Sequence, residues 1–134
     1  MKMNKEERQR IFEMFGGKCA YCGKELNGRW HVDHIIPIYR NDTDEQFERR
    51  IKHGSRRMDI PRGKDVPENY YPSCSRCNGW KSTFTIESFR AEISEQAKRA
   101  RAYSCNFRMA EDFGLIKETG IEVKFYFETQ PKPQ

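Results

Sequence analysis

The stretch "WHVDHIIP", residues 30 to 37, reads as a β-strand with a carboxylate and an imidazole in its middle. Burying an unpaired carboxylate is costly, so Asp33 needs a partner. It can pair with His34 in a core, or the two can bind a metal and do chemistry. Neighbouring side chains on a strand point to opposite faces. Unless the strand ends or bends there, separate tasks suit them: one holds a metal and the other activates water. His31 shares a face with Asp33, as an extra ligand, a phosphate contact or a structural residue.

Two cysteine pairs lie on either side of this strand, Cys19-x-x-Cys22 and Cys74-x-x-Cys77. A two-residue spacer lets both thiolates of a knuckle face one ion, and two knuckles complete a tetrahedron. Positions 23 to 73 separate the pairs, so the metal would tie distant segments together. The alternatives are disulfides or inert core cysteines. The start "MKMNKEERQR" has no apolar signal-peptide region, which predicts a cytoplasmic, reducing location where disulfides are rare. Zinc is therefore the expected reading, in a closed structural site with no open position. Cys105 is the odd one out and reads as a plain thiol.

The chain has 134 residues, a length that suits one domain. At 36% hydrophobic and 34% charged it can bury only a modest core, so a metal staple would help it. No apolar run approaches the roughly 18 residues that span a membrane. The net charge of +5 and a pI near 9.0 favour an anionic partner. Residues 49–64 concentrate that charge: seven basic residues stand against one acid, Asp59. Such a run is either a solvated loop or a grip on phosphates.

Periodicity places the remaining elements. Asn4 is positioned to cap a helix that carries Ile11, Phe12 and Phe15 and ends at Gly16-Gly17. A short helix is expected over residues 44–54 and another over "SRCNGWKS". "NYYPSC" suits a second strand, with Pro72 at an edge or end. Residues 85–103 read as one long amphipathic helix capped by Thr85. "IEVKFYFE" alternates, with Ile121, Val123, Phe125 and Phe127 on one side, and reads as a terminal strand.

Taken together, "CAYC", "VDHIIP" and "ENYYPSCSRCNGWKS" resemble the HNH endonuclease family, in its version with a four-cysteine zinc site. The resemblance covers residues 19–82. It implies an α+β fold: a small zinc-stapled ββα-metal core with an N-terminal helix, a long C-terminal helix and a terminal β-strand. The expected layout is one nuclease domain over 1–134, with core 19–82, a basic insertion at about 40–66 and an extension over 83–128.

Carried over residue by residue, the resemblance makes His34 the general base. It makes Asp33 and Asn78 ligands of a catalytic Mg²⁺ or Mn²⁺, and Asn69 the residue that holds the loop between the strands. Carboxylate and amide oxygens suit such hard cations, and a neutral imidazole suits a general base near pH 7. Bland readings stand beside these: a core histidine, a turn asparagine, a loop asparagine. Lys81, three residues after Asn78, would touch phosphate or be solvated. Arg49, Arg50, Lys52, Arg56 and Arg57 would bind DNA backbone, and His53 more as a binder than as a cleaver. The insertion departs from the short Gly-rich loop of many family members, leaving its packing open.

The implied activity is metal-dependent DNA cleavage. The competing class is a non-catalytic zinc-stapled DNA-binding module or a structural partner in a larger assembly. One ββα-metal site cuts one strand, which leaves a homodimer open. A phage terminase partner follows from the resemblance to phage-type members alone.

Overall fold

The computed structural model describes residues 3–53 and 61–131, and side chains over 3–49 and 61–131. Helix α1 spans Lys5–Glu13, strand β1 Trp30–His34 and helix α2 Asp44–His53. A 3₁₀ turn, Pro67–Asn69, leads into strand β2, Tyr70–Cys74, and helix α3, Ser75–Lys81. Helices α4 (Ile86–Ser94), α5 (Gln96–Tyr103) and α6 (Cys105–Asp112) follow, then a 3₁₀ turn at Tyr126–Thr129.

Asn4 caps α1, its side-chain oxygen accepting from the Glu7 amide at 2.8 Å. The chain then turns through Gly17, at φ +80°, where a Cβ would meet the Phe12 ring at 3.1 Å. Strands β1 and β2 pair antiparallel, with Trp30 opposite Cys74 and His34 opposite Tyr70. Pro72 sits mid-strand opposite Val32. It has no amide proton to give, and its carbonyl accepts from the Ala20 amide at 2.9 Å. The first cysteine knuckle therefore covers the free edge of β2, where a proline does no harm. Helix α3 follows β2 directly and packs on both strands, giving the compact ββα arrangement. This is the small α+β fold that the resemblance implied.

The core is aromatic. Tyr21 meets Phe89, Phe125, Phe127 and Tyr71 edge-on, at centroid distances of 5.4–6.3 Å. Edge-to-face packing of this kind adds about 0.5–1.5 kcal/mol per pair beyond area burial. Cys19, Leu26 and Cys77 complete the buried cluster.

Two expectations for the C-terminal part do not hold. The expected long helix is two helices, interrupted at Glu95. The Ser94 hydroxyl donates to the Arg90 carbonyl and the Gln96 amide to the Glu92 carbonyl, both at 2.8 Å. Side chains that bond nearby carbonyls compete with the helix ladder and bend it. Thr85 does cap α4, accepting from the Ser88 amide.

The expected terminal strand pairs with neither β1 nor β2. Val123, Phe125 and Phe127 do pack on the core, but the backbone bonds elsewhere. The Tyr126 and Phe127 amides donate to the Tyr21 and Ala20 carbonyls, and Arg90 donates to the Val123 carbonyl. With the β2 edge already covered, this segment straps the knuckle instead of extending the sheet.

Candidate active site and zinc centre

The four cysteines of the two knuckles converge. Their sulfurs all lie within 4.8 Å of one another, and Cys22 and Cys74 are 3.9 Å apart. Zinc bonds of about 2.3 Å in a tetrahedron require sulfurs roughly 3.8 Å apart, so the set fits zinc. The Tyr21 and Cys77 amides donate to the Cys19 and Cys74 sulfurs at 3.4 Å. In the metal-free cluster the contact with Cys77 holds the Cys19 pKa down at about 4, while the same contact pushes the Cys77 thiol up and burial pushes Cys22 up, so the shared negative charge rests first on Cys19. Cys105 is exposed and lies apart from this group.

Tyr21, inside the first knuckle, links the zinc centre to β1. Its hydroxyl donates to Asp33 Oδ2 from within the aromatic core. Burial, and then Asp33, push the Tyr21 hydroxyl well above its ordinary pKa, so it remains a donor. Lys81 Nζ lies 3.0 Å from the same Asp33 oxygen and donates to the His34 carbonyl at 2.8 Å. Burial raises the Asp33 pKa, and Lys81 and Tyr21 pull it back.

This overturns the expectation for Lys81. It is fully buried and bonded inward, neither solvated nor placed to meet a phosphate. The ββα packing puts the C-terminal turn of α3 under β1, and the buried carboxylate there captures the ammonium.

His34 faces the other way, as alternation requires. Its Nε2 lies 2.8 Å from Asp65 Oδ1, and its ring packs edge-on against Tyr70 at 5.4 Å. Tyr70 donates its hydroxyl to the same Asp65 oxygen at 2.6 Å. Bonds from Tyr70 and His34 lower the Asp65 pKa, while Asp65 raises that of Tyr70 to about 12. Asp33 and His34 therefore occupy separate networks, each with a partner that is remote in sequence.

Asn69 is buried between the strands. Its side chain accepts from the Ile36 amide at 2.8 Å, and donates to the Ile36 and Lys64 carbonyls at 2.8 and 3.0 Å. Its own carbonyl accepts from the Ile35 amide at 2.9 Å. Gly63 completes this junction, donating to the Pro37 carbonyl at 2.8 Å. The insertion thus returns to the point from which it left.

Residues 19–48 match the HNH endonuclease family model. The match runs from the first knuckle through β1 into α2, so it contains Asp33 and His34. No curated protein and no solved structure matches the chain. Strand β2 and helix α3, which lie outside the matched residues, are joined to the matched segment by strand pairing and by the shared cysteine cluster.

Asn78 lies half-buried on α3, and among the described residues its side chain has no hydrogen-bond partner. Both bonds to Asp33 end on Oδ2, leaving Oδ1 free. One carboxylate oxygen and one amide fit a hard cation. Tyr21 and Lys81 hold the Asp33 carboxylate through Oδ2.

His31 is exposed and joins neither network. Arg49 is exposed and pairs with Glu45 at 3.4 Å, one helical turn away. Arg62, counted in the basic run, is structural: it bonds Asp44 and the Ile38, Tyr39 and Asp42 carbonyls, and lies over the Phe47 ring. Arg56 and Arg57 lie outside the described residues, as do the side chains of Arg50, Lys52 and His53. Among the described residues no helix is long and apolar enough to cross a membrane.

Sequence reasoning missed Tyr21, Asp65 and Tyr70. An aromatic between knuckle cysteines is a signal that points to Tyr21. Asp65 lies 31 positions from His34, and no local pattern marks it.

Proposed function

We propose that the chain is a metal-dependent DNA endonuclease that hydrolyses phosphodiester bonds. The observation that carries this reading is the separation of Asp33 and His34 into two networks within the HNH-matched segment. His34 acts as general base, taking a proton from the attacking water. Asp33 and Asn78 would hold a divalent ion, Mg²⁺ or Mn²⁺, that offsets charge on the phosphate and on the leaving 3′ oxygen. Tyr21 and Lys81 orient the Asp33 carboxylate, and Asn69 keeps the β1 exit in place. Arg49, Arg50, Lys52, Arg56 and Arg57 supply positive charge for the backbone. Products carry a 5′-phosphate and a 3′-hydroxyl. One site cuts one strand, so a double-strand break requires two chains or two encounters.

A second reading has its own support. The buried Lys81–Asp33 ion pair neutralises the carboxylate within the fold, an arrangement that a non-catalytic zinc-stapled DNA-binding module can carry equally well. Supercoiled plasmid separates the two. The nuclease reading expects nicking with Mg²⁺ or Mn²⁺, lost in His34→Ala while zinc content and circular dichroism stay unchanged. Binding without nicking across a metal screen would leave the module. Equal nicking by His34→Ala would remove His34 from its role.

A further inference from the structure

We propose that Asp65 is a positioning residue for His34: it fixes the ring and its tautomer so that Nδ1 is the nitrogen that takes the proton. This rests on the nuclease reading above.

The geometry has three parts. First, Asp65 is held as a carboxylate by donors on Oδ1, the Tyr70 hydroxyl at 2.6 Å and His34 Nε2 at 2.8 Å, with Arg40 3.7 Å from Oδ2. A carboxylate only accepts, so Nε2 must carry the proton in that bond. The lone pair of the neutral ring is then on Nδ1. Second, the ring is braced from the side by Tyr70, its cross-strand partner, at 82° between planes. Third, Asp65 is itself anchored. Gly63 is bonded to Pro37 on one side, and on the other the Asn69 amide donates to the Val66 carbonyl at 2.9 Å. The Lys64 carbonyl accepts from the Asn69 side chain. The carboxylate thus arrives on a backbone pinned to the exit of β1.

The same contact serves the proton transfer. As water oxygen bonds to phosphorus, its proton passes to Nδ1, and the bond from phosphorus to the 3′ oxygen breaks, the 3′ oxygen leaving with the electron pair and taking a proton from solvent water to become the 3′-hydroxyl. His34 then carries a positive charge 2.8 Å from the Asp65 carboxylate, which stabilises it. A histidine held by a carboxylate in this way is a recurrent device for orienting a base.

The test uses the full chain, zinc-loaded, with plasmid nicking and long-range ¹H–¹⁵N spectra of His34. Wild type is expected in the Nε2-protonated tautomer. Asp65→Ala is expected to mix the tautomers and lower kcat about 10- to 100-fold with KM little changed. Asp65→Asn keeps an acceptor oxygen but not the charge, so it should retain the tautomer and fall between. It also carries the test if Asp65→Ala does not fold. A merely structural pin would move melting temperature and KM and leave kcat of the folded fraction intact, and that result overturns the proposal. So does an unchanged His34 tautomer in Asp65→Ala. Wild type and Asp65→Ala nicking equally fast sinks this inference and leaves the nuclease reading standing. A wild type that nicks nothing removes both.

Discussion

Lys81 and Asp33 form an ion pair in the interior, Nζ to Oδ2 at 3.0 Å, with the lysine fully buried. Buried pairs gain little over apolar replacements, but losing one partner leaves a charge stranded. Lys81→Met should therefore destabilise the fold by about 3–5 kcal/mol in urea titration. Asp33→Asn with Lys81→Met should recover most of that loss, because no charge is left alone. The sign with pH follows from burial, which raises the Asp33 pKa. A raised carboxyl favours folding while protonated and loses that contribution as pH rises through its folded pKa. The Lys81→Met deficit should accordingly shrink on acidification. A deficit that grows at low pH would refute the stranded-carboxylate account.

The cysteine cluster makes a separate prediction. Metal analysis should find about one tightly held zinc per chain. Strong chelation, or Cys74→Ser, should unfold the chain, since free energy of zinc binding is folding free energy in small metal-stapled domains. Native protein with titratable thiols and no zinc would exclude the staple.

Gly63 gives a steric test. A Cβ there would lie 2.0 Å from the Ile36 carbonyl oxygen and 2.9 Å from Asn69 Nδ2. Backbone cannot move aside cheaply, so Gly63→Ala should cost about 2–3 kcal/mol and disturb the junction. Gly79, inside α3, has nothing within 4 Å of its added Cβ. Gly79→Ala should instead gain about 0.5–1 kcal/mol from helix propensity. Equal melting temperatures for the two variants would contradict the packing.

Asn69→Ala removes three hydrogen bonds at once. Each buried backbone group left unpaired costs about 1–3 kcal/mol. Hydrogen exchange should show the Ile36 amide losing its protection while the Asp33 amide, which faces Tyr71 in the ladder, keeps much of its own. Uniform loss along β1 would mean that Asn69 supports the whole sheet and not one junction.

Local pattern explains which features were legible in the sequence. The Asn4 and Thr85 caps, the β1 and β2 strands and the cysteine knuckles all depend on residues a few positions apart. The alternation of Ile121, Val123, Phe125 and Phe127 reports the inward side chains for the last three, whereas Ile121 is exposed. It carries no information about a ladder partner, and the edge it needed is covered by Ala20. The break at Glu95 depends on two side chains choosing carbonyls over solvent. Lys81 was misread because charge suggests surface, whereas its environment is set by a carboxylate 48 positions away. Asp33 and His34 stood out at once; the groups that hold them, Tyr21 and Asp65, are joined to them only by folding.

The junction built by Gly63 and Asn69 has a consequence for how this architecture tolerates change. It fastens the two ends of the connection between the strands, so the pairing of the strands depends little on the length of what lies between. Closing a flexible loop costs only about 0.6 kcal/mol more for each doubling of its length. The α2 segment also carries its own small cluster, with Tyr39, Phe47 and Arg62 packed together. The connection that leaves at Pro37 and returns at Gly63 should therefore tolerate a change of length without a new design for the two strands it joins.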